Sequence, residues 1–115
     1  MRKAIKLALF CLALSSLLSA ADYRFVKIDF PNAIATTAGS INARGDISGR
    51  YEDANGVSHG FLLRKGVFST IDFPNASFTV ARAMNARGDI AGRFQDANDH
   101  GFLLHDGHFT QIDYP

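Results

Sequence analysis

The chain repeats most of its own sequence. Residues 28–56 align without a gap onto residues 71–99, and 19 of those 29 positions are identical. Both copies continue alike, as HGFLLRKGVFST and HGFLLHDGHFTQ, and a third copy begins with IDYP at Ile112. Self-similarity at a period of 41–43 residues is typical of repeat proteins, in which each unit buries its apolar face on its neighbours. The predicted units are repeat 1 at about 28–70, repeat 2 at about 71–111 and the start of a third at 112–115.

The first 21 residues have the pattern of a secretory signal peptide. A basic start with Arg2, Lys3 and Lys6 precedes an apolar run over residues 7–18, and small residues lead to a cleavage point after Ala21. The apolar run is too short for a comfortable transmembrane span, so a retained membrane anchor is the weaker alternative. We therefore expect an exported protein, periplasmic or extracellular, with a β-repeat domain over residues 22–115.

Removal of the signal peptide changes the composition of the chain. The remaining residues carry nine Lys and Arg against eleven Asp and Glu, a net charge of −2 with His neutral. The one cysteine, Cys11, leaves with the leader, so disulfides cannot stabilise the rest. Without a basic field, we expect no binding to nucleic acid and no membrane attachment after cleavage. The 94 residues left suffice for two stacked repeats but not for two independent domains.

Short strands separated by turn residues account for the repeats. Within residues 46–51, Ile47, Gly49 and Tyr51 fall on one face and polar residues on the other, which indicates a half-buried strand. The continuously apolar residues 59–63 predict a strand covered on both faces. Further strands are predicted at 36–42, 67–73, 79–85, 89–94 and 100–104, with a leading strand at 25–30 and a trailing strand at 109–114.

Glycine and proline mark the turns. Gly45 and Gly88 end Asn-Ala-Arg-Gly segments at which a tight hairpin needs a positive φ. The prolines at 31, 74 and 115 are expected to end strands, because proline has no N–H for the ladder. Residues 53–56 and 96–99 form the next loop, which has two extra residues in repeat 1. No stretch of the mature chain carries a helical period.

The predicted fold is therefore all-β. It consists of two tandem four-stranded antiparallel blade-like repeats, a partial β-propeller, plus the leading and trailing strands. Replacing Ile47 or Ile90 by Asp is expected to cost more than ~3 kcal/mol, because each change buries a charge. The predicted core residues are Ile28, Ile47, Tyr51, Phe61, Leu63, Ile71, Ile90, Phe94, Phe102, Leu104 and Ile112.

The repeat resembles a known family. The segment Ile-Asn-Ala-Arg-Gly-Asp-Ile-Ser-Gly-Arg-Tyr, followed by His-Gly-Phe-Leu, is similar to the HAF family of bacterial extracellular repeats, which is named for a His-Ala-Phe core. That core stands here as residues 59–61 and 100–102, with Gly in place of Ala. The resemblance covers nearly all of residues 28–114. It implies secretion and a repetitive β fold, and it implies little about activity.

Two units are fewer than a propeller needs, since closure takes roughly four to eight blades. Three alternatives follow: a piece of a longer propeller, an assembly of several chains, or a smaller closed arrangement of sheets. Open blade edges expose unpaired backbone groups and invite association. We therefore expect truncation or self-association through these edges rather than a stable monomer.

Two recurring motifs suggest binding sites. Residues 44–46 and 87–89 spell Arg-Gly-Asp, the tripeptide that integrins read, but a hairpin in which Gly turns the chain and Arg is solvated explains them better. The Asp-Ala-Asn segments at 53 and 96 resemble a calcium loop without the Glu that an EF-hand needs at its twelfth position. A looser calcium site with Glu52, Asp53 and Asn55 stays open, and an Asx-type turn is the favoured alternative.

The histidines suggest structural roles. His59 and His100 stand at equivalent strand starts, and without a second ligand at metal spacing we expect each ring to bond a neighbouring backbone group. His105 and His108 lie across a hairpin and have no counterpart in repeat 1. Capture of zinc or nickel by this pair is the alternative to exposed turn residues.

Catalysis finds no support in the sequence. The mature chain has no cysteine, and no serine stands in a nucleophile-elbow context. Asp29, Asp72 and Asp113 recur with the repeat, which favours a structural task, such as accepting a turn N–H, over the paired carboxylates of a glycosidase. We assign no catalytic, cofactor-binding or metal-binding residue.

The sequence thus predicts a secreted, non-enzymatic β-repeat protein that serves as a binding, interaction or structural module for an unidentified protein or glycan. A carbohydrate-binding module is one alternative, although the chain has no Trp to stack on sugars. A fragment of a larger propeller-type hydrolase is the other.

Overall fold

The computed structural model describes residues 22–115, so the signal peptide predicted at 1–21 lies outside the described residues. The described chain is all-β, and it contains no helix long and apolar enough to cross a membrane. The eight strands are β1 (Ala35–Ile41), β2 (Ile47–Glu52), β3 (Ser58–Arg64), β4 (Val67–Ile71), β5 (Phe78–Met84), β6 (Ile90–Gln95), β7 (Asp99–His105) and β8 (His108–Ile112).

The strands form two antiparallel four-stranded sheets, each a meander in chain order. We call β1–β4 the first unit and β5–β8 the second unit. The tandem of blade-like units is confirmed, but the sheets do not close into a barrel or propeller, so the smaller closed arrangement is wrong. Equivalent strands pair in equivalent register, including a bulge that follows Ala38 in β1 and Ala81 in β5.

The predicted turns are confirmed by their backbone angles. Gly45 and Gly88 have φ of 84° and 90°, as tight hairpins between β1 and β2 and between β5 and β6 require. The β3–β4 hairpin turns through Lys65 and Gly66, with φ of 49° and 79°, the two positive values of a type I′ turn. The β2–β3 loop is the longer one in the first unit, where the two extra residues were expected.

The predicted leading strand is wrong, because no strand occupies residues 25–30. The strand predicted at 109–114 is confirmed as β8, although it is the fourth strand of the second sheet rather than an addition to it. The segment 25–30 matches residues 68–73, of which the first four belong to β4 and pair with β3. No described strand precedes residues 25–30 to pair with them in the same way, so their backbone groups have no ladder to join.

Each of the first two prolines lies in a turn that crosses the sheet rather than at the end of a strand. We call these turns, residues 30–33 and 73–76, the straps. Phe30 O accepts a hydrogen bond from Ala33 N at 3.1 Å, and Asn32 has φ of 63°, so Pro31 and Asn32 are the centre of a type II turn. The Phe30 ring then stacks on Tyr51, with ring centroids 3.6 Å apart. Residues 73–76 repeat this strap, and β4 ends at Ile71, three residues before Pro74.

Each sheet has two different faces, which alternation along the strands defines. The front face carries the aromatic residues that the strap covers, and the back face carries small and aliphatic residues. In the first unit, the front face includes Ala38, Ile41, Ile47, Tyr51, Phe61 and Leu63, and the back face includes Ser48, Gly60, Leu62 and Ile71. In the second unit, the corresponding sets are Ala81, Met84, Ile90, Phe94, Phe102 and Leu104, and Ala91, Gly101, Leu103 and Ile112.

The core lies between the back face of the first unit and the front face of the second. Strand β5 contacts β1, β2 and β3 of the first sheet. One apolar cluster joins Leu62 and Ile71 of the first unit to Ala81, Ile90 and Phe102 of the second. Burying this apolar surface contributes roughly 25 cal/mol per Å² removed from water, so the two units stabilise each other.

Most of the predicted core is confirmed. Tyr51, Phe61, Ile71, Ile90, Phe94 and Phe102 are buried, and Ile28, Ile47, Leu63 and Leu104 are half-buried. The prediction that Ile112 belongs to the core is wrong, since this residue is 53% exposed. Its equivalent, Ile71, is buried because the second unit covers it, and no described unit covers Ile112.

The prediction that β2 is half-buried, with a solvated polar face, is also wrong at Ser48. This side chain is on the polar side of the strand, yet it is fully buried, because β5 crosses that side. Its hydroxyl bonds the hydroxyl of Ser40 on the neighbouring strand, so burial leaves it paired.

Substitution by Asp should destabilise the protein more at Ile90 than at Ile47. Ile90 is 1% exposed in the contact between units, whereas the equivalent Ile47 is half-buried on the outer front face. We expect Ile90→Asp to lower the free energy of unfolding by more than ~3 kcal/mol, and Ile47→Asp to lower it by clearly less. Urea unfolding of both variants measures this, and equal losses would show that the contact between units does not bury Ile90 in solution.

Gly49→Ala and Gly39→Ala form a matched pair. A methyl group at Gly49 would collide with Thr37 O and lie 2.9 Å from the Phe61 ring, whereas at Gly39 the nearest atom, Ala81 O, is 3.4 Å away. We expect Gly49→Ala to destabilise the protein by about 1–3 kcal/mol or more through overpacking. Gly39→Ala should change stability by less than about 1 kcal/mol. Similar melting temperatures for the two variants would contradict the close approach of β1 at Gly49.

Candidate functional site

An Asp–His–Asp cluster ties the first unit together at the start of β3. The His59 ring is placed between two carboxylates, with Nδ1 2.8 Å from Asp72 Oδ1 and Nε2 2.8 Å from Asp53 Oδ2. Asp53 belongs to the β2–β3 loop and Asp72 follows β4. The ring also stacks on Tyr51, with centroids 5.0 Å apart, and 21% of the His59 side chain is exposed.

The second unit repeats this cluster. His100 Nδ1 is 2.8 Å from Asp113 Oδ1, and its Nε2 is 3.0 Å from Asp96 Oδ1. The His100 ring stacks on Phe94, again with centroids 5.0 Å apart. The shared geometry shows that the cluster belongs to the repeat unit rather than to one special position.

These contacts correct two predictions. His59 and His100 bond carboxylates and not the neighbouring backbone groups that the sequence suggested. Asp72 and Asp113 accept from imidazole nitrogens rather than from a turn N–H, so the predicted partner was wrong. Asp29 has no such histidine and instead lies 3.4 Å from Lys27 Nζ. The spacing of 13 residues from His59 to Asp72, which recurs from His100 to Asp113, was the signal in the sequence that could have revealed the cluster.

The predicted Asx-type turn is confirmed at Asp53. Its Oδ1 accepts hydrogen bonds from Asn55 N at 2.8 Å and from Val57 N at 3.0 Å, while Oδ2 faces His59. The carboxylate of the suggested calcium loop is therefore engaged by protein donors. Within residues 22–115, no group of three or more His, Cys, Asp or Glu side chains could hold a metal ion.

Both ring nitrogens of each cluster histidine face acceptors, so the charged imidazolium, which donates from both, fits best. Burial of the His59 ring opposes this charge, but the hydrogen bonds to Asp53 and Asp72 outweigh it and raise the pKa of His59 above its ordinary 6.5. The hydrogen bond to Asp113 raises the pKa of His100 in the same way. The His59 hydrogen bond and the backbone N–H of Val57 hold the pKa of Asp53 below 3.8.

The Arg-Gly-Asp segment at 44–46 forms a turn that its own aspartate holds. The residue Asp46 is 3% exposed, and its Oδ2 is 3.3 Å from Arg44 Nε and 3.2 Å from Arg64 Nε. Burial alone would raise the pKa of Asp46, but the Asn42 hydrogen bond and the Arg64 charge hold it below 3.8. The predicted positive φ at Gly45 and the solvent-exposed Arg44 are confirmed.

The second copy of that turn uses a histidine in place of Arg64. His105 Nδ1 is 2.6 Å from Asp89 Oδ1, and this hydrogen bond raises the pKa of His105. His108 is the partner of His105 in the β7–β8 ladder. The two residues that a metal would need are thus placed together, but His105 is paired with a carboxylate.

A cleft of about 820 Å³ lies between the two units, and sequence reasoning missed it. Its lining combines three arginines, four polar side chains and several small residues. No Asp or Glu is among these lining residues, namely Thr37, Gly39, Gly49, Arg50, Gly56, Val57, Ser58, Ser77, Phe78, Val80, Ala81, Arg82, Arg93 and Gln95. We call this feature the inter-unit cleft.

Two of its arginines are held in place by neighbouring side chains. Arg50 donates to Ser58 Oγ at 3.1 Å, and its Nη1 is 3.6 Å from Glu52. The Arg93 guanidinium lies 4.8 Å from the centroid of the Phe78 ring, a cation–π contact. The third, Arg82, is exposed. The sequence could not reveal this grouping, because the arginines come from β2, β5 and β6.

Comparison with known proteins adds no family to these observations. The chain matches no family model, no curated protein and no solved structure. The resemblance to HAF repeats therefore stays a prediction from the sequence motifs.

The clusters predict a specific pH dependence of stability. Histidines with a raised pKa contribute stability that is complete below pH 6.5 and is lost as the pH rises through their folded pKa. Aspartates with a lowered pKa contribute above pH 3.8 and lose this as the pH falls. We expect the free energy of unfolding, measured in urea, to be highest between pH 3.8 and 6.5 and to fall toward pH 8.

A double variant, His59→Gln with His100→Gln, is the control for this profile. In the double variant, the free energy of unfolding should decrease much less above pH 6.5 than in the unmodified protein. His105, whose pKa is also raised, accounts for the decrease that remains. An unchanged alkaline slope in the double variant would show that the clusters do not hold charged histidines.

Proposed function

We propose that the chain is an exported, non-enzymatic binding module that holds an acidic glycan in the inter-unit cleft. One observation carries the proposal: the cleft gathers three arginines, of which Arg50 and Arg93 also pair with Glu52 and Asp99 outside the lining, at 3.6 Å and 3.5 Å. The third, Arg82, makes no ion pair within residues 22–115. With its histidines neutral, this part of the chain carries nine Lys and Arg against eleven Asp and Glu. Guanidinium groups that line one cleft favour an anionic ligand through electrostatic complementarity.

The chemistry of the lining favours a sugar acid. A guanidinium presents its donors as a planar fork that matches a carboxylate, and such charge-assisted hydrogen bonds are stronger than neutral ones. The hydroxyls of Thr37, Ser58 and Ser77 and the amide of Gln95 complement sugar hydroxyls. The cleft volume of about 820 Å³ is within the range of small-ligand sites.

The clusters support a non-enzymatic module. A general base needs an imidazole nitrogen that can take a proton from a substrate, and both nitrogens of His59 are already 2.8 Å from carboxylate oxygens. His100 has the same arrangement in the second unit. A duplicated cluster that links a loop, a strand and the segment after the fourth strand is what a structural task requires, so the alternative of a hydrolase fragment has less support than binding.

Export is part of the proposal and rests on the sequence. The chain starts with basic residues and an apolar run, and small residues precede the expected cleavage point after Ala21, a pattern that supports a secreted or periplasmic location. The HAF-like motifs around residues 59–61 and 100–102 support the same location. An acidic glycan is a ligand that an exported protein can meet outside the cytoplasm.

Arg82→Ala tests the ligand class, with Arg24→Ala as a control that removes the same charge outside the cleft. With oligogalacturonate as the probe, calorimetry should show a loss of affinity of about tenfold or more for Arg82→Ala, since a hydrogen bond to a charged group contributes ~1.5–3 kcal/mol. Arg24→Ala should bind as the unmodified protein does, and added salt should weaken binding.

A neutral malto-oligosaccharide of the same length and a poly-glutamate peptide complete the experiment. Binding of oligogalacturonate alone supports an acidic glycan. Equal binding of the neutral sugar would contradict the role of the arginines, and preference for the peptide would replace the glycan with an acidic protein partner.

A further inference from the structure

The contact between the two units shows what each face of a unit is built to bind. On the back of the first unit, Ser48 and Ile71 are 0% and 5% exposed. On the front of the second unit, Ala81 and Ile90 are 2% and 1% exposed. The back of one unit therefore fits the front of the next, with β5 crossing β1, β2 and β3.

The same two surfaces recur uncovered on the outside of the described chain. On the back of the second unit, Leu103 is 36% and Ile112 is 53% exposed. On the front of the first unit, Ala38 is exposed and Ile41 is 66% exposed. Exposed apolar surface of this kind marks an interaction site.

The central positions of the outer faces carry nearly the same side chains as those of the inner ones. The back-face pairs are Ser48 and Ala91, Gly60 and Gly101, Leu62 and Leu103, and Ile71 and Ile112, and the front-face pairs are Ala38 and Ala81, Ile41 and Met84, and Ile47 and Ile90. Away from the centre the faces differ, since Ala35 on the back of the first unit is replaced by Phe78 in the second.

The turns at the edge of the contact also show one covered copy and one uncovered copy. A methyl group at Gly88 would lie 2.9 Å from Arg64 Nη2 and 3.0 Å from Arg44 Nη2, so the first unit's arginines reach the second unit's turn. At the equivalent Gly45 the surrounding space is open. Arg87, the equivalent of Arg44, is exposed and can reach such a turn on another molecule.

We propose that the outer back face of the second unit binds the outer front face of the first unit in a second copy of this chain, which repeats the internal contact between molecules. Such a head-to-tail contact is heterologous, so it gives a ring if the rotation closes and a filament if it does not. Since propellers close with roughly four to eight blades, a ring would contain two, three or four chains.

One segment must move for this contact to form. Within the chain, β4 of the first unit leads into the strap of the second unit. In a contact between two molecules, β8 of the first copy would take the place of β4 beside the strap of the second copy's first unit. Residues 22–27 of the second copy occupy the corresponding part of the sequence, and they are exposed and form no strand. These residues can therefore move aside and lie next to the interface. The proposed contact joins the faces of the sheets rather than their edges.

Two variants test the direction of the contact. Leu103→Asp removes the outer back face and Ile41→Asp the outer front face, and both sites are exposed enough for the fold to persist, which circular dichroism checks. Light scattering on the chain of residues 22–115, without glycan, should show assemblies for the unmodified protein and monomers for each variant. Val67→Asp, at an exposed site outside both outer faces, should assemble normally.

Mixing the two variants gives the decisive result. Each retains one intact face, so the mixture should form a one-to-one dimer and nothing larger. A monomeric unmodified protein at millimolar concentration, or self-association of either variant alone, would overturn the proposal. Deletion of residues 22–27 should leave assembly intact or strengthen it, and loss of assembly would show that this segment itself forms the contact. Glycan binding is measured separately, so the failure of one proposal leaves the other distinguishable.

Discussion

The packing of the second unit's front face on the first unit's back face is the contact on which the rest of the structure depends. A four-stranded sheet of this size has little apolar surface to bury by itself, and the strap covers only the aromatic part of one face. The cluster that joins Ile71 to Ala81 and Ile90 supplies the missing burial. The same contact creates the inter-unit cleft, because the cleft is the space that β5 leaves beside β1 and β2 where it crosses them.

Polar contacts complement this packing within each unit. The imidazolium of His59 draws the β2–β3 loop and the segment after β4 together, and that segment leads directly into the strap of the second unit. The cluster is therefore placed where the chain passes from one unit to the next. A buried apolar contact fixes how the units stack, and a paired charge fixes where the connecting chain leaves the sheet, since an unpaired group at that place would cost free energy.

The candidate sites were predictable to different extents. The repeat, the strands within the two units and the glycine turns follow from local patterns, and the structure confirms them. The Asp–His–Asp cluster was visible only as three recurring positions, because Asp53 and Asp72 are 19 residues apart in the chain and nothing local brings them to one ring. The inter-unit cleft left no signal of this kind, since Arg50, Arg82 and Arg93 converge only when two sheets pack.

Equivalent residues with different burial mark the boundary between sequence and tertiary structure. The sequence by itself determined the all-β class, the two copies of the unit and the strand positions within them, because alternation and turn residues act over a few neighbours. Only the tertiary structure decided that Ile71 is buried and Ile112 is exposed, and that the polar face bearing Ser48 is interior. Burial depends on what covers a face, and identical local sequence cannot encode whether a neighbouring unit is present.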